Sequence, residues 1–152
     1  MSDPIIQGRG NHRYKWIDQW ALLPGDKQLG YTHYICEVND GRIFIHNRSK
    51  DSAAIFSPDG EFLDSWGEDY IQGAHGMQLS AEDDGEFLYF APDNLSKIFK
   101  TTLDGEIVFE FGIPRECKAY DGNDRFYPTN IAIASNGDFY VADGYGLSFI
   151  HQ

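Results

Sequence analysis

The sequence is poor in basic residues and has no long apolar run. It contains 12 Lys or Arg against 24 Asp or Glu in 152 residues, which gives a formal net charge of −12. Binding to nucleic acid or to an anionic membrane needs clustered Lys and Arg, so the composition argues against both partners. No stretch reaches the length of a membrane-spanning helix, and the N-terminus lacks the apolar core of a signal peptide.

Cysteine is also scarce. Cys36 and Cys117 are the only two, and they have no CxxC spacing. We interpret both as free thiols, and nothing in their use demands an oxidising compartment. The chain is therefore predicted to be soluble and cytoplasmic, with a secreted or periplasmic location left open. A hydrophobic content of 41% and an aromatic content of 15% predict a globular fold rather than a disordered chain.

What the chain does contain is an internal repeat. Residues 57–67 and 102–112 each run through Asp-Gly-Glu and an apolar stretch to an aromatic-Gly pair. Short apolar runs joined by Gly-containing polar turns favour antiparallel strands. The first strands of successive units begin at His33, His75 and Thr129, which are 42 and 54 residues apart. Four strands in a period near 40 residues are typical of a propeller blade.

The sequence therefore predicts an all-β fold, a partial β-propeller of about three four-stranded antiparallel blades, or half of a six-bladed ring. Segment 14–20 alternates and ends in Trp20, as segment 62–66 ends in Trp66. It is predicted to be the outer strand of a blade whose other strands lie elsewhere. The predicted boundaries are an N-terminal tail at 1–13, the orphan outer strand at 14–20, blades at 31–67 and 73–112, and an incomplete blade at 127–152.

Two explanations are open for such a half ring. One is a truncated chain, because blades bury their cores only against neighbouring blades. The other is a head-to-tail homodimer, in which segment 14–20 of each chain supplies the missing strand of the other chain's third blade. Two chains would then close a six-bladed ring with two-fold symmetry.

The first strand of a propeller blade lines the central channel, so His33, His75 and Thr129 are predicted to point toward the axis. Imidazole nitrogens bind zinc, so the two histidines are candidate metal ligands; the alternative is that each bonds the backbone where its blade begins. Tyr145 follows an Asp-Gly turn at the channel rim, where it either packs at the surface or acts as a base beside a cation. Arg48 is either a binder of a substrate carboxylate or a solvated surface residue.

Three segments carry a family resemblance: Ala-His-Gly-Met-Gln-Leu at 74–79, Phe-Tyr-Pro-Thr-Asn-Ile-Ala at 126–132 and Ala-Asp-Gly-Tyr at 142–145. Over about residues 14–152 the chain resembles NHL-type propeller blades. More narrowly, it resembles the N-terminal half of the peptidyl-α-hydroxyglycine α-amidating lyase family. The resemblance implies a six-bladed propeller that takes a peptide or small-molecule substrate, cleaves a carbinolamide C–N bond and releases glyoxylate.

By position, the resemblance implies that His75 ligates a channel zinc, that Tyr145 assists deprotonation of the substrate hydroxyl, and that the backbone carbonyl of Met77 ligates a structural calcium. His33 has no metal-ligand counterpart in the family, and Arg48 is one residue out of register with the family's His-Arg pair. The family's other metal-ligand histidines lie in later blades, so the half chain alone is predicted to be inactive. The alternatives are a non-enzymatic propeller scaffold that binds a peptide, protein or small ligand, and another propeller enzyme such as a lactonase or hydrolase.

Overall fold

The chain folds into many short strands joined by tight turns. The computed structural model describes residues 5–70, 73–122 and 125–152. Two short 3-10 helices lie at Glu68–Tyr70 and Arg115–Cys117, and no helix in the described ranges is long and apolar enough to cross a membrane. The strands in these ranges are β1 (Ile6–Arg9), β2 (His12–Lys15), β3 (Thr32–Glu37), β4 (Ile43–Asn47), β5 (Ala53–Phe56), β6 (Phe62–Trp66), β7 (Gly76–Glu82), β8 (Gly85–Ala91), β9 (Ile98–Thr102), β10 (Ile107–Phe111), β11 (Asn130–Ile133), β12 (Phe139–Ala142) and β13 (Ile150–His151).

Three of the sheets are antiparallel meanders of the kind that form propeller blades. Blade 1 has the strand order β3-β4-β5-β6, blade 2 has β7-β8-β9-β10, and blade 3 has β11-β12-β13. The inner strands of successive blades lie against one another, because β3 contacts β7 and β7 contacts β11. This arrangement brings the beginnings of the three inner strands together at one end of the sheets.

The Asp-Gly turns account for the repeat. Gly60 and Gly105 close the turns between the third and fourth strands with φ of +87° and +86°, a conformation that glycine adopts without strain. Each turn also receives a tryptophan from the preceding segment. Trp66 Nε1 donates to a carbonyl oxygen of the blade 2 turn at 3.0 Å, and Trp20 Nε1 donates to one of the blade 1 turn at 3.2 Å. Trp20 therefore makes the same kind of contact with the turn of blade 1 that Trp66 makes with the turn of blade 2.

The hydrophobic core lies between the blades. The cluster between blades 1 and 2 is built around Met77 and Phe90, and the cluster between blades 2 and 3 includes Ile131. On the opposite face of blade 1, Phe56 and its neighbours are covered by partly buried residues of segment 20–29. Face-to-face packing of successive sheets is what fixes the channel side of each blade relative to the next.

Segment 14–20 does not form the strand predicted from its alternation. The strand there is β2, His12–Lys15, which pairs with β1 inside the predicted tail 1–13; residues 1–4 of that tail lie outside the described part of the chain. A local Gly-Asn turn explains the difference, because Gly10 has φ +56° and such a turn joins the two segments directly into a hairpin. The prediction of an orphan outer strand over 14–20 is wrong for residues 16–20, which form no strand, although Trp20 does reach the turn of blade 1.

Candidate functional site

The beginnings of the three inner strands meet at the channel mouth. The His33 ring stacks on the His75 ring with centroids 4.8 Å apart and planes at 29°. His75 Nδ1 lies 2.6 Å from the backbone oxygen of Thr129 on the next blade. A shallow depression of about 300 Å³ is lined by six residues at this point: His33, Tyr34, His75, Gly76, Thr129 and Asn130. The structure thus brings together the three positions that the repeat aligned.

The hydrogen bonds of His75 assign its tautomer. A carbonyl oxygen can only accept, so Nδ1 carries the proton that is donated to Thr129. In the neutral ring with this tautomer, Nε2 is the acceptor, and the Tyr145 hydroxyl, which lies 3.2 Å away, donates to it. The two rings meet edge to face, with centroids 5.2 Å apart and planes at 82°. His75 therefore has one ring nitrogen fixed by the backbone and the other facing a phenol.

Gly76 permits this contact between blades. A Cβ at that position would lie 2.6 Å from Asn130 Cα and 2.7 Å from Thr129 O, closer than any side chain allows. Glycine inside a strand is typical where another backbone approaches closely. The absence of a side chain at Gly76 thus lets β7 and β11 come near enough for His75 to reach the Thr129 carbonyl.

Arg48 is held behind the site. Its Nη2 donates to Asp93 Oδ2 at 2.6 Å and its Nε donates to Ala74 O at 3.2 Å, so it braces blade 1 against the residue that precedes His75. The interpretation of Arg48 as a freely solvated surface residue is wrong, because its side chain is 30% exposed and ion-paired. Its role in binding a substrate carboxylate stays a prediction.

The pKa of His33 is lowered from its ordinary value. Burial is the main cause, and the neighbouring His75 and Arg48 add to it by opposing a second positive charge. The His33 imidazole is consequently favoured in its neutral form. That is also the form in which an imidazole acts as a base or binds a metal.

His46 belongs to the same region and was not singled out from the sequence. It is fully buried on β4, with its ring edge-on to Phe90 at 4.7 Å. Neither ring nitrogen makes a hydrogen bond of good geometry within the described part of the protein. Burial, followed by the charges of His33 and His75, lowers the pKa of His46 to about 3, and the nearby Gly76 backbone opposes this only weakly. A period-2 pattern marks His46 as inward-facing but gives no sign that it lies behind the channel histidines.

The predicted metal ligands are only partly assembled. Among residues 5–70, 73–122 and 125–152, no group of three or more His, Cys, Asp or Glu side chains is placed to hold a metal ion. His33 and His75 supply two imidazoles, whose rings are stacked on one another. The side chain of Met77 is buried in the core between blades 1 and 2. Zinc at the histidines and calcium at the Met77 carbonyl both stay predictions.

The fold is a partial β-propeller, as predicted from the repeat. Its blades are antiparallel meanders that pack face to face, and the beginnings of their inner strands meet at the channel mouth. The solved structures of virginiamycin B lyase and streptogramin B lyase share this fold. A catalytically inactive variant of virginiamycin B lyase from Staphylococcus aureus, with quinupristin, matches with a TM-score of 0.58 and 15% identity over 91% of this chain and 44% of that one. A streptogramin B lyase matches with a TM-score of 0.53 and 19% identity over 86% of this chain and 38% of that one.

A protein of unknown function from Bacteroides caccae also matches, with a TM-score of 0.53 and 15% identity over 74% of this chain and 38% of that one. No family model and no curated protein matches the chain. The chain spans 38 to 44% of the length of these three proteins, and identities of 15 to 19% show the fold alone. The NHL type, the six-blade count and the amidating-lyase family stay predictions.

Proposed function

We propose that this chain is part of a lyase-like β-propeller whose channel mouth uses His75 and Tyr145 as an acid–base pair. One observation carries the proposal: the Tyr145 hydroxyl donates to an imidazole nitrogen whose ring is fixed through its other nitrogen by Thr129. A neutral imidazole held in one tautomer beside a hydroxyl is suited to receiving a proton. The names of two matched structures, both lyases, support this class of reaction.

The pair can carry the proton balance of an elimination. The Tyr145 oxygen, on a side chain 65% exposed at the mouth, takes the proton of a substrate hydroxyl while its own proton passes to His75 Nε2. The substrate C–O bond becomes a carbonyl, and the electron pair of the C–N bond leaves with the nitrogen. The imidazolium then returns one proton through Tyr145 to that nitrogen. One proton leaves the substrate and one returns, so no co-reactant is consumed.

The substrate class that fits this sequence of steps is a peptidyl-α-hydroxyglycine, as the family resemblance implies. Its carbinolamide carries both the hydroxyl that loses a proton and the nitrogen that gains one. The depression at the mouth is open and of about 300 Å³, which suits the end of a peptide rather than an enclosed small molecule. Arg48, whose Nη2 is already held by Asp93, is proposed to attract the substrate carboxylate from behind His33.

A zinc ion would polarise the substrate hydroxyl and lower its pKa. The described residues do not complete such a site, since two imidazoles fall short of the three protein ligands that a catalytic zinc takes. The hydrogen bond from His75 Nδ1 to Thr129 is nonetheless of the kind that orients a metal-ligating histidine. A zinc ion would have to take the Nε2 lone pair that faces the Tyr145 hydroxyl, so the role of His75 as a zinc ligand is proposed as an alternative to the acid–base pair, in a site completed by residues outside this half ring.

Release of glyoxylate from an α-hydroxyglycine tripeptide tests the proposed reaction, with quinupristin as a second compound. We expect turnover of the tripeptide by a closed ring and none by the monomer. Turnover should be lost in His75→Gln and kept in His12→Gln, which changes an exposed histidine of β2. If no preparation of the protein turns over either compound, the lyase proposal fails and a non-enzymatic binding scaffold becomes the better account.

We also propose that a second copy of this chain closes the ring head to tail. Trp20 already occupies the position that Trp66 takes when it ends the outer strand of a preceding blade. The residues before it, Trp16 and Ile17, are 59% and 57% exposed. Blade 3 presents the complementary surface, because β13 is its outer strand and Ile150 on that strand is 70% exposed.

Mass measurement in solution at micromolar concentration checks the homodimer. We expect a dimer for the unchanged chain and a monomer for Ile17→Asp and for Ile150→Asp. Val108→Asp is the matched control, because Val108 is an apolar residue that is 49% exposed on β10 of blade 2, which neither proposed contact includes. A monomeric wild-type chain, or a dimer that survives both changes, would contradict this arrangement.

A further inference from the structure

We infer that Asp143 is a positioning residue, whose buried carboxylate fixes the turn that carries Tyr145 and thereby sets the Tyr145 hydroxyl on His75. Its functional meaning rests on the proposed acid–base pair. The inference itself concerns geometry, and it comes from contacts that lie outside the channel mouth. Asp143 directly follows β12, is fully buried, and has its nearest hydrogen-bond partners on three different parts of the chain.

The carboxylate of Asp143 accepts hydrogen bonds from three donors. Oδ1 accepts from the Tyr127 backbone N–H at 2.7 Å, and Oδ2 accepts from the Leu147 backbone N–H at 2.7 Å. Oδ2 also accepts from the Tyr120 hydroxyl at 2.8 Å. An ionised carboxylate accepts at both oxygens and donates at neither, so it matches this set of donors. Hydrogen bonds to an ionised acceptor are also stronger than those between neutral groups.

The Asp143 carboxylate also fixes the backbone conformation of the turn that contains Tyr145. The Leu147 N–H that it holds lies two residues beyond Tyr145, and the Ser148 N–H donates to the Asp143 backbone oxygen at 3.0 Å. A Cβ at Gly146 would lie 2.1 Å from Asp143 Oδ1, and a Cβ at Gly144 would lie 2.4 Å from Thr129 Oγ1. The turn therefore packs directly on the carboxylate and on the inner strand, which leaves Tyr145 little choice of position.

Comparison with blade 1 shows why position 143 in blade 3 needs an aspartate rather than an asparagine. Asn47 lies at the corresponding place in its sheet, since the Asn47 and Asp143 backbone N–H groups each donate at 2.9 Å to the residue just before the third strand of their own blades. The Asn47 side chain accepts from the Gly30 N–H at 2.9 Å and donates to the Asp51 carbonyl at 2.8 Å. Blade 1 thus needs one acceptor and one donor, whereas blade 3 needs acceptors only. An amide at 143 would turn an N–H toward a backbone N–H.

The test is the ¹⁵N NMR spectrum of the His75 ring in the full chain. Tyr145→Phe removes the hydroxyl and defines the change in the Nε2 chemical shift that accompanies loss of the hydrogen bond. We expect Asp143→Asn to reproduce at least half of that change. Asn47→Asp is the matched control, because it makes the reciprocal exchange in blade 1 and should lower thermal stability while leaving the His75 signals unmoved.

A folded Asp143→Asn variant with a wild-type Nε2 signal would overturn the inference, and so would an equal response to Asn47→Asp. If Asp143→Asn does not fold, Tyr120→Phe replaces it. That variant removes one of the three donors and should move the Nε2 signal in the same direction by a smaller amount; a wild-type signal there would also overturn the inference. No turnover is measured, so this result is independent of whether the lyase proposal holds.

Discussion

Tyr145→Phe is expected to lower the rate of C–N bond cleavage by about 10²–10⁴-fold in the closed ring, the usual contribution of one positioned acid–base group. The change removes the hydroxyl that donates to His75 Nε2 and leaves the ring edge-to-face on the imidazole. Substrate binding should change much less than the rate, because the lost group acts on the proton that moves. Single-turnover measurement of glyoxylate release separates the chemical step from product release.

Tyr31→Phe is the matched control for this change, because Tyr31 is a tyrosine 82% exposed at the start of blade 1. It should leave the rate within about twofold of the wild type. His75→Gln should cost as much as Tyr145→Phe, and the double variant little more, because residues that act as a unit have non-additive effects. Independent, multiplying effects of the two changes would show that the residues do not act as a pair.

The blades were predictable because their signals are local. The Asp-Gly turn recurs in two successive units and needs a glycine at positive φ, so Gly60 and Gly105 mark the same place in two blades before any contact is known. The hairpin of β1 and β2 was missed for the converse reason. Alternation over 14–20 matched the pattern of an outer strand, while the Gly-Asn turn beside Gly10 offered a nearer partner.

The site was predictable only in outline. Aligning the inner strands placed His33, His75 and Thr129 at equivalent positions, which is why the structure brings them together. The pairing of Arg48 with Asp93 depends on how blade 1 packs on blade 2, and no local pattern encodes it. The packing of one blade on the next determines the hydrogen-bond partner of each polar side chain. The repeat specifies only the strand positions from which those side chains extend.

The burial of His46 behind the channel histidines was likewise not predictable from a local pattern. It is expected to make the stability of the fold sensitive to acid. The pKa of His46 is about 3 in the folded chain, lowered first by burial and then by His33 and His75, against 6.5 for a histidine in water. Between these two values the unfolded chain binds a proton that the folded chain does not. The stabilisation is therefore fully present above pH 6.5 and is lost as the pH falls. At pH 5 the loss from His46 alone is about 2 kcal/mol, at 1.36 kcal/mol for each pH unit.

Urea unfolding at pH 7.5, 6 and 5 measures this loss before most carboxylates titrate. His46→Leu keeps a side chain of similar volume beside Phe90 and removes the titrating group, so its stability should change by less than about 1 kcal/mol over this range. His12→Gln, on the exposed hairpin, should keep the wild-type slope. The pKa of His33 is also lowered in the folded chain, so its protonation acts in the same direction and a small residual slope in His46→Leu is expected. An unaltered slope in that variant would mean that His46 finds a proton-accepting partner in the folded chain, and the acid sensitivity would then have to come from His33 at the channel mouth.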